Sequence, residues 1–196
     1  MSLNVEIAAR HIFPKAELLA MHRLRARAFR DRRGWDVTVL GGMEIDGFDA
    51  IEPHYMLLRE ESGMLCGCWR LLPTDGPYML KDVFPELLGG QAAPQDARVW
   101  ELSRFVMEGD TAAGFGFSAR TLQSIHEVIR FGHSSGISHY VTVTTTAVER
   151  MLRQAGLAVR RFGPARQVGV ETAVALWVDI EASLRAMRAP AQQRAH

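Results

Sequence analysis

Over residues 15–30 the apolar positions recur with a helical period. At about 100° per residue, Leu18, Met21, Leu24, Ala28 and Phe29 fall on one side. Arg23, Arg27 and Arg30 take the opposite, solvated side, but Arg25 lies near the middle of the apolar face. A buried guanidinium without a partner is very costly, so Arg25 requires an anion, either a structural carboxylate or a bound ligand. The period then shortens to two. Residues 54–59 and 64–71, separated by Glu61-Ser62-Gly63, predict a β-hairpin. In its second strand, alternation puts Met64, Cys66, Cys68 and Arg70 on one face and Leu65, Trp69 and Leu71 on the other. A third strand is predicted over 98–106. A helix follows over 117–131, with Leu122, Ile125, Val128 and Ile129 inward, entered through Ala113-Gly114-Phe115-Gly116. Then come a β-branched strand over 140–145, a helix over 147–155 closed by Gly156, and strands over 157–162 and 172–180. This order predicts an α/β sandwich on a mixed sheet.

Composition narrows the class. The 196 residues are 47% apolar and 23% charged, which suits one ordinary globular domain and excludes a disordered or low-complexity chain. Lys and Arg number 23 against 22 Asp and Glu, a net charge of +1 that argues against a generally basic nucleic-acid binder. No apolar run is long enough to span a bilayer, and the first ten residues lack a signal-peptide core, so a cytoplasmic location is expected. Cys66 and Cys68 are too close together for a disulfide framework and too few for a metal cage, which leaves them as small buried fillers. The residues from 186 onward have little to bury and are expected to form a flexible tail after a single domain over 1–185.

Several charged and polar residues sit where regular elements do not need them. Residues 34–49 are Gly-rich and acidic, with Asp36, Glu44, Asp46 and Asp49 beside Trp35 and Phe48. These are either solvated loop acids or a setting for a cation with a flat ring. In Trp100-Glu101-Leu102-Ser103-Arg104-Phe105, alternation places Glu101 and Ser103 on one face and Arg104 on the other. A bulge would gather them into one cleft, and an internal ion pair is the plainer alternative. Tyr140, Thr142 and Thr144 share a face of the later strand, as ordinary strand residues or as hydrogen-bonding groups in an apolar tunnel. Arg150, Arg153, Arg160, Arg161 and Arg166 fall in a window free of acids, as a solvated surface or a dock for an acidic protein. A Gly-x-Gly turn entering a helix offers backbone N–H groups to a pantetheine or pyrophosphate, although alone it is a weak signal. No histidine has convincing metal-ligand spacing.

One combination is specific. Arg25 and Phe29, then Trp35, Asp46 and Asp49, then Arg70, Phe84, Glu101 and Arg104 occur in the order and at spacings like those of the acyl-homoserine-lactone synthases, the autoinducer synthases of quorum sensing, which the chain resembles over about residues 1–185. The blocks MEIDGFDA, GPYMLKDVFPELL, WELSRF, VTVTT and RFGP look closest to the Las-type synthases of long-chain 3-oxo signals, from which the polar tail departs.

The resemblance implies an acetyltransferase-like (GNAT-like) α-β-α sandwich whose mixed central sheet is splayed around a cleft. It implies S-adenosylmethionine and an acyl thioester on acyl carrier protein as substrates, and no metal or redox cofactor. Arg25, Phe29, Trp35, Asp46 and Asp49 would then form the S-adenosylmethionine pocket. Asp46 and Asp49 would act on its ammonium or through arginines. Glu101 would be the general base, directly or through water, with Arg104 and Arg70 beside it. Phe84, Ser103, Phe105, Thr142 and Thr144 would line the acyl chain, with Thr142 able to bond a 3-oxo group. Arg150, Arg153, Arg161 and Arg166 would receive the acidic carrier, and the protein would be a monomer or weak dimer. The competing readings are an N-acyltransferase using acyl-CoA and another amine, and a nucleic-acid-binding module built on Arg23, Arg27 and Arg30.

Overall fold

A computed structural model describes residues 3–109 and 116–188. Within them the strands are β1 (Asn4–Ala9), β2 (Val39–Leu40), β3 (Met43–Glu44), β4 (His54–Arg59), β5 (Leu65–Pro73), β6 (Val99–Met107), β7 (His139–Thr145), β8 (Ala158–Arg161), β9 (Arg166–Val168) and β10 (Glu171–Asp179). The helices are α1 (Lys15–Ala26), α2 (Met79–Asp82), α3 (Ala119–Ser134), α4 (Thr146–Gln154) and α5 (Ile180–Arg188). None is long and apolar enough to cross a membrane. The main sheet runs β1-β4-β5-β6-β7-β10, with β8 and β9 both on the outer edge of β10. Its pairs are antiparallel except β6 with β7.

Period-two burial sorts the sheet residues into two faces. On one, Met56, Leu58, Trp69, Leu71, Leu102, Tyr140 and Leu176 form a core with Ile125, Val128 and Ile129 of α3 and Leu184 of α5. On the other, Tyr55, Leu57, Cys68 and Val106 pack beneath Met21, Leu24 and Phe29 from the α1 region, and Val141, Ala173 and Ala175 pack beneath Tyr78, Leu80 and Leu87. The result is a three-layer sandwich, α1 and α2 on one side and α3 and α5 on the other. The predicted mixed α/β class holds. β1 and α5 are additions that the sequence pattern did not separate from loops.

Three irregularities shape the site. Past Ala26 the first helix widens into a π-turn, Arg27–Arg32, closed by the Trp35 N–H donating to the Phe29 carbonyl at 2.9 Å. In β5 the register slips at Cys66, between the Leu58–Gly67 and Arg59–Leu65 pairs, so Cys66 packs with Met56 and Trp69 while Cys68 packs with Leu57 and Val106. The two cysteines therefore face opposite cores, not one shared face as strict alternation required; both thiols are free. In β6 a bulge lies between the Arg70–Ser103 and Cys68–Val106 pairs, and Arg104 there has φ 55°. Beyond the Leu102–Thr142 pair the parallel ladder between β6 and β7 ends, although β6 continues to Met107 and β7 to Thr145. The central sheet is therefore open along a seam that begins beside Ser103.

Candidate active site

Arg25 and Arg70 are each 0% exposed, and their partner is the same carboxylate. Asp49 accepts Arg25 Nη1 and Nη2 at 2.8 and 2.9 Å in a two-pronged pair, and Arg70 Nη1 at 3.0 Å. The Tyr55 hydroxyl at 2.7 Å and the Asp46 N–H at 2.9 Å complete its shell. Burial alone would raise the Asp49 pKa, but the hydrogen bonds and charge of Arg25, with the charge of Arg70, hold it well below the carboxylate range. Asp46 begins a helical turn, Gly47–Asp49, with a reciprocal capping box. This turn keeps the two carboxylates at fixed separation. Asp46 accepts Arg70 Nη1 at 2.5 Å and Arg104 Nη2 at 2.7 Å. Glu44 accepts Arg25 Nε at 2.5 Å and Arg104 Nε at 3.0 Å. Three guanidiniums and three carboxylates thus close into one network.

The β6 bulge makes that network possible. Strict alternation would point Arg104 to the α3 side; the positive φ turns it toward Glu44 and Asp46, on the side of Glu101 and Ser103. Its guanidinium also lies 5.7 Å from the centre of the Phe29 ring, on which Trp35 stacks at 5.1 Å and 4°. Arg70 Nε donates to Ser103 Oγ at 3.2 Å.

Glu101 makes no ion pair among the described residues, although the charges of Arg70 and Arg104 reach it. It is 1% exposed. Its oxygens accept the backbone N–H groups of Met79 at 3.0 Å and Leu80 at 2.7 Å, where α2 begins. Burial pushes its pKa up and these two hydrogen bonds only partly oppose the shift, which leaves it at about 7. That is the range of a general base at neutral pH.

The residues singled out from sequence are therefore divided in space. Arg25, Phe29, Trp35, Asp46, Asp49, Arg70, Glu101, Ser103 and Arg104 gather on the α1–α2 side of the sheet. The partner of Arg25 is a pair of structural carboxylates. Asp46 and Asp49 both accept hydrogen bonds from arginines of this site. Phe84 also lies on this side, against the core of Leu80 and Val141. Phe105 faces the α3 core, and Thr142 and Thr144 alternate with Val141 and Val143 toward that same face. Ser103 and Thr142 both border the seam, from opposite faces of the sheet. Glu44, a loop acid by sequence, stands two residues from Asp46 on an extended segment, a spacing that lets both face Arg104. Tyr55 and the backbone of Met79 and Leu80 had no sequence signal.

Beside the arginine window lies a carboxylate in contact with part of it. Glu149, one residue before it, is buried at its centre and binds Arg153 at 3.0 Å and Arg161 at 2.5 Å. These two arginines are structural partners of one carboxylate. Arg150 and Arg166 are exposed and carry no ion pair among the described residues, while Arg160 lies over Trp177 at 5.8 Å. The Gly-x-Gly turn before α3 falls, apart from Gly116, outside the described residues. Among the described residues no cluster of His, Cys, Asp and Glu is arranged to hold a metal.

Comparison with known proteins sets this site in context. A putative N-acetyltransferase from Lactobacillus plantarum, 13% identical, has the same fold with a TM-score of 0.61 over 92% of this chain and 99% of that one. At that identity the likeness defines an acetyltransferase-like sandwich and nothing more. The chain belongs to the autoinducer synthase family, which it matches over residues 10–187. It is 48% identical over 180 residues to the acyl-homoserine-lactone synthase of Pseudomonas aeruginosa, covering 91% of this chain and 90% of that protein. The crystal structure of the AHL synthase LasI is 46% identical with a TM-score of 0.87, at 95% coverage of both chains. BjaI, a CoA-dependent acyl-homoserine lactone synthase solved with SAM and isopentyl-CoA, is 28% identical with a TM-score of 0.84, covering 95% of this chain and 88% of that one. The protein is an acyltransferase, an acyl-homoserine-lactone synthase.

Proposed function

We propose that this synthase acylates the amine of S-adenosylmethionine with a long-chain 3-oxoacyl group delivered as a thioester on acyl carrier protein, and then closes the lactone with release of methylthioadenosine. The observation that carries this reading is Glu101, a buried carboxylate poised at about 7 beside the parted strands. S-adenosylmethionine occupies the α1 side, against the Phe29–Trp35 stack and the guanidinium of Arg104, which takes the substrate carboxylate. Arg25, Arg70, Asp46 and Asp49 hold Arg104 and Ser103 in place and do not touch the amine. Glu101 removes a proton from the substrate ammonium, directly or through a water. The freed nitrogen attacks the thioester carbon, and backbone N–H groups left open by the seam stabilise the oxyanion. Collapse breaks the C–S bond, the departing thiolate takes the proton held by Glu101, and the regenerated Glu101 carboxylate accepts the second proton of the acylated nitrogen and passes it to solvent, leaving a neutral amide. The substrate carboxylate oxygen then attacks its own γ-carbon. The C–S⁺ bond breaks, and neutral methylthioadenosine leaves. The acyl chain passes through the seam to the α3 side, along Phe105, Thr142 and Thr144. The exposed Arg150 and Arg166 favour an acidic carrier as the donor.

A panel of carrier-bound and CoA-bound acyl thioesters, incubated with S-adenosylmethionine, tests the scheme through methylthioadenosine release and lactone mass. Carrier-bound 3-oxo chains are expected to give the highest kcat/KM. Equal or better use of acyl-CoA, the donor class named for BjaI, would overturn the carrier assignment. Acyl transfer to another amine without methylthioadenosine would overturn the reaction itself.

A further inference from the structure

Trp69 is 9% exposed, yet its indole Nε1 is buried with no hydrogen-bond partner among the described residues. Buried indole N–H groups ordinarily find an acceptor; the half-buried Trp100 donates its own to the Ala97 carbonyl at 2.8 Å, and Trp177 is a second indole whose buried N–H has no partner among the described residues. The place of Trp69 in the sheet suggests what its missing acceptor is. On β5 it lies between Cys68, paired with Val106, and Arg70, paired with Ser103, directly across from the β6 bulge. Its ring leans on Phe105 with centroids 4.4 Å apart. Both rings face the α3 core, the face shared by Leu102 and Tyr140 and, by alternation, by Thr142. The backbones of β5 and β7 are two strand spacings apart, ~10 Å, and wider where β6 and β7 part. An extended acyl chain emerging from the seam on this face therefore runs with Trp69 and Phe105 on one flank and Thr142 and Thr144 on the other. Such a chain is apolar except at its 3-position, two carbons from the thioester, and the bulge opposite Trp69 adjoins Ser103 at the mouth of the seam.

We propose that the Trp69 indole N–H is the hydrogen-bond donor to the 3-oxo oxygen of the acyl chain and so determines selectivity for 3-substituted over unsubstituted chains. An unsubstituted chain leaves this buried donor orphaned, which is how a polar group in an apolar site rejects an analogue that lacks its partner. The assignment rests on the 3-oxoacyl reading above.

The test replaces Trp69 with benzothienylalanine, which puts sulfur where the N–H stands and keeps the bicyclic shape, with Trp69→Phe as a second variant. Thermal melting verifies that each is folded. The quantity measured is the ratio of kcat/KM for a 3-oxoacyl thioester to that for the unsubstituted thioester of equal length on the same carrier. The ratio is expected to fall about tenfold, the usual scale for one lost hydrogen bond. If the unaltered enzyme prefers 3-oxo chains and both variants keep that ratio, or lose activity equally with both chains, Trp69 is a packing residue and the assignment is wrong. If the unaltered enzyme shows no 3-oxo preference, the chain-type reading itself fails and takes this assignment with it.

Discussion

Two buried carboxylates, Asp49 and Glu101, titrate in opposite directions because different donors reach them. Asp49 is directly bonded to guanidiniums and stays ionised; for Glu101 burial outweighs two peptide N–H groups and the more distant charges of Arg70 and Arg104, which pushes it up to about 7 from an ordinary 4.5. The Glu101 pKa predicts an acid limb in the kcat/KM profile, with activity falling as pH drops through about 7. Glu101→Gln should lower turnover by about 10²–10⁴-fold and abolish that limb; a mutant that keeps near-normal rates across pH would remove Glu101 as the base. The stability linkages have opposite signs. A raised carboxyl binds more protons folded than unfolded, so the contribution of Glu101 to stability declines as pH rises from about 4.5 to about 7. The depressed Asp49 contributes stability above its ordinary 3.8 and loses it as pH falls below that value. Asp49→Asn strands two buried arginines and should cost about 3–5 kcal/mol in denaturant unfolding. A loss under 1 kcal/mol would show that Glu44 and Asp46 alone suffice.

At the scale of elements, the irregular positions matter more than the regular ones. Gly67 sits next to the register slip of β5, and a Cβ there would meet Leu58 Cδ1 and the Val106 carbonyl at 2.8 Å. Gly67→Ala should therefore destabilise the protein by about 1–3 kcal/mol, read as a lowered melting temperature. An unchanged melting temperature would mean that the β4–β6 backbone yields there at little cost. These same positions mark the boundary of what the sequence discloses. The α1 stripe, the β4–β5 hairpin and the inward face of α3 follow from local periodicity, and Arg25 was conspicuous because it violates a period. The β6 bulge was not legible as such. A positive φ at Arg104 goes with two carboxylates, Glu44 and Asp46, that arrive from some sixty positions earlier, and strict alternation points its side chain the other way. The Cys66–Cys68 assignment failed for the same reason, since a one-residue slip reverses every face after it. Glu149 lies outside the acid-free window in sequence, yet α4 and β8 converge in space and bring it against Arg153 and Arg161.

For the whole molecule, a near-zero net charge conceals an uneven distribution, although a less simple one than the sequence suggested. The acidic segment is neutralised in part by buried arginines, and Glu149 pairs with two of the five arginines of the basic window. All five stay exposed, and Arg150 and Arg166 carry no ion pair among the described residues. Arg150→Glu with Arg166→Glu should raise KM for a carrier-bound acyl group several-fold at low salt, with the difference shrinking as ionic strength rises. An unchanged KM at low salt would exclude this surface as the dock.

The open seam between β6 and β7 also has a consequence for motion. A sheet that stops zipping at Leu102 and Thr142 carries, in its interior, the unpaired peptide groups usually confined to an edge. Amides facing that gap should exchange with solvent deuterium faster than those of the intact ladders around them. A substrate bridging the gap should slow them together, so deuterium uptake at 103–105 and 143–145 would report occupancy without any turnover.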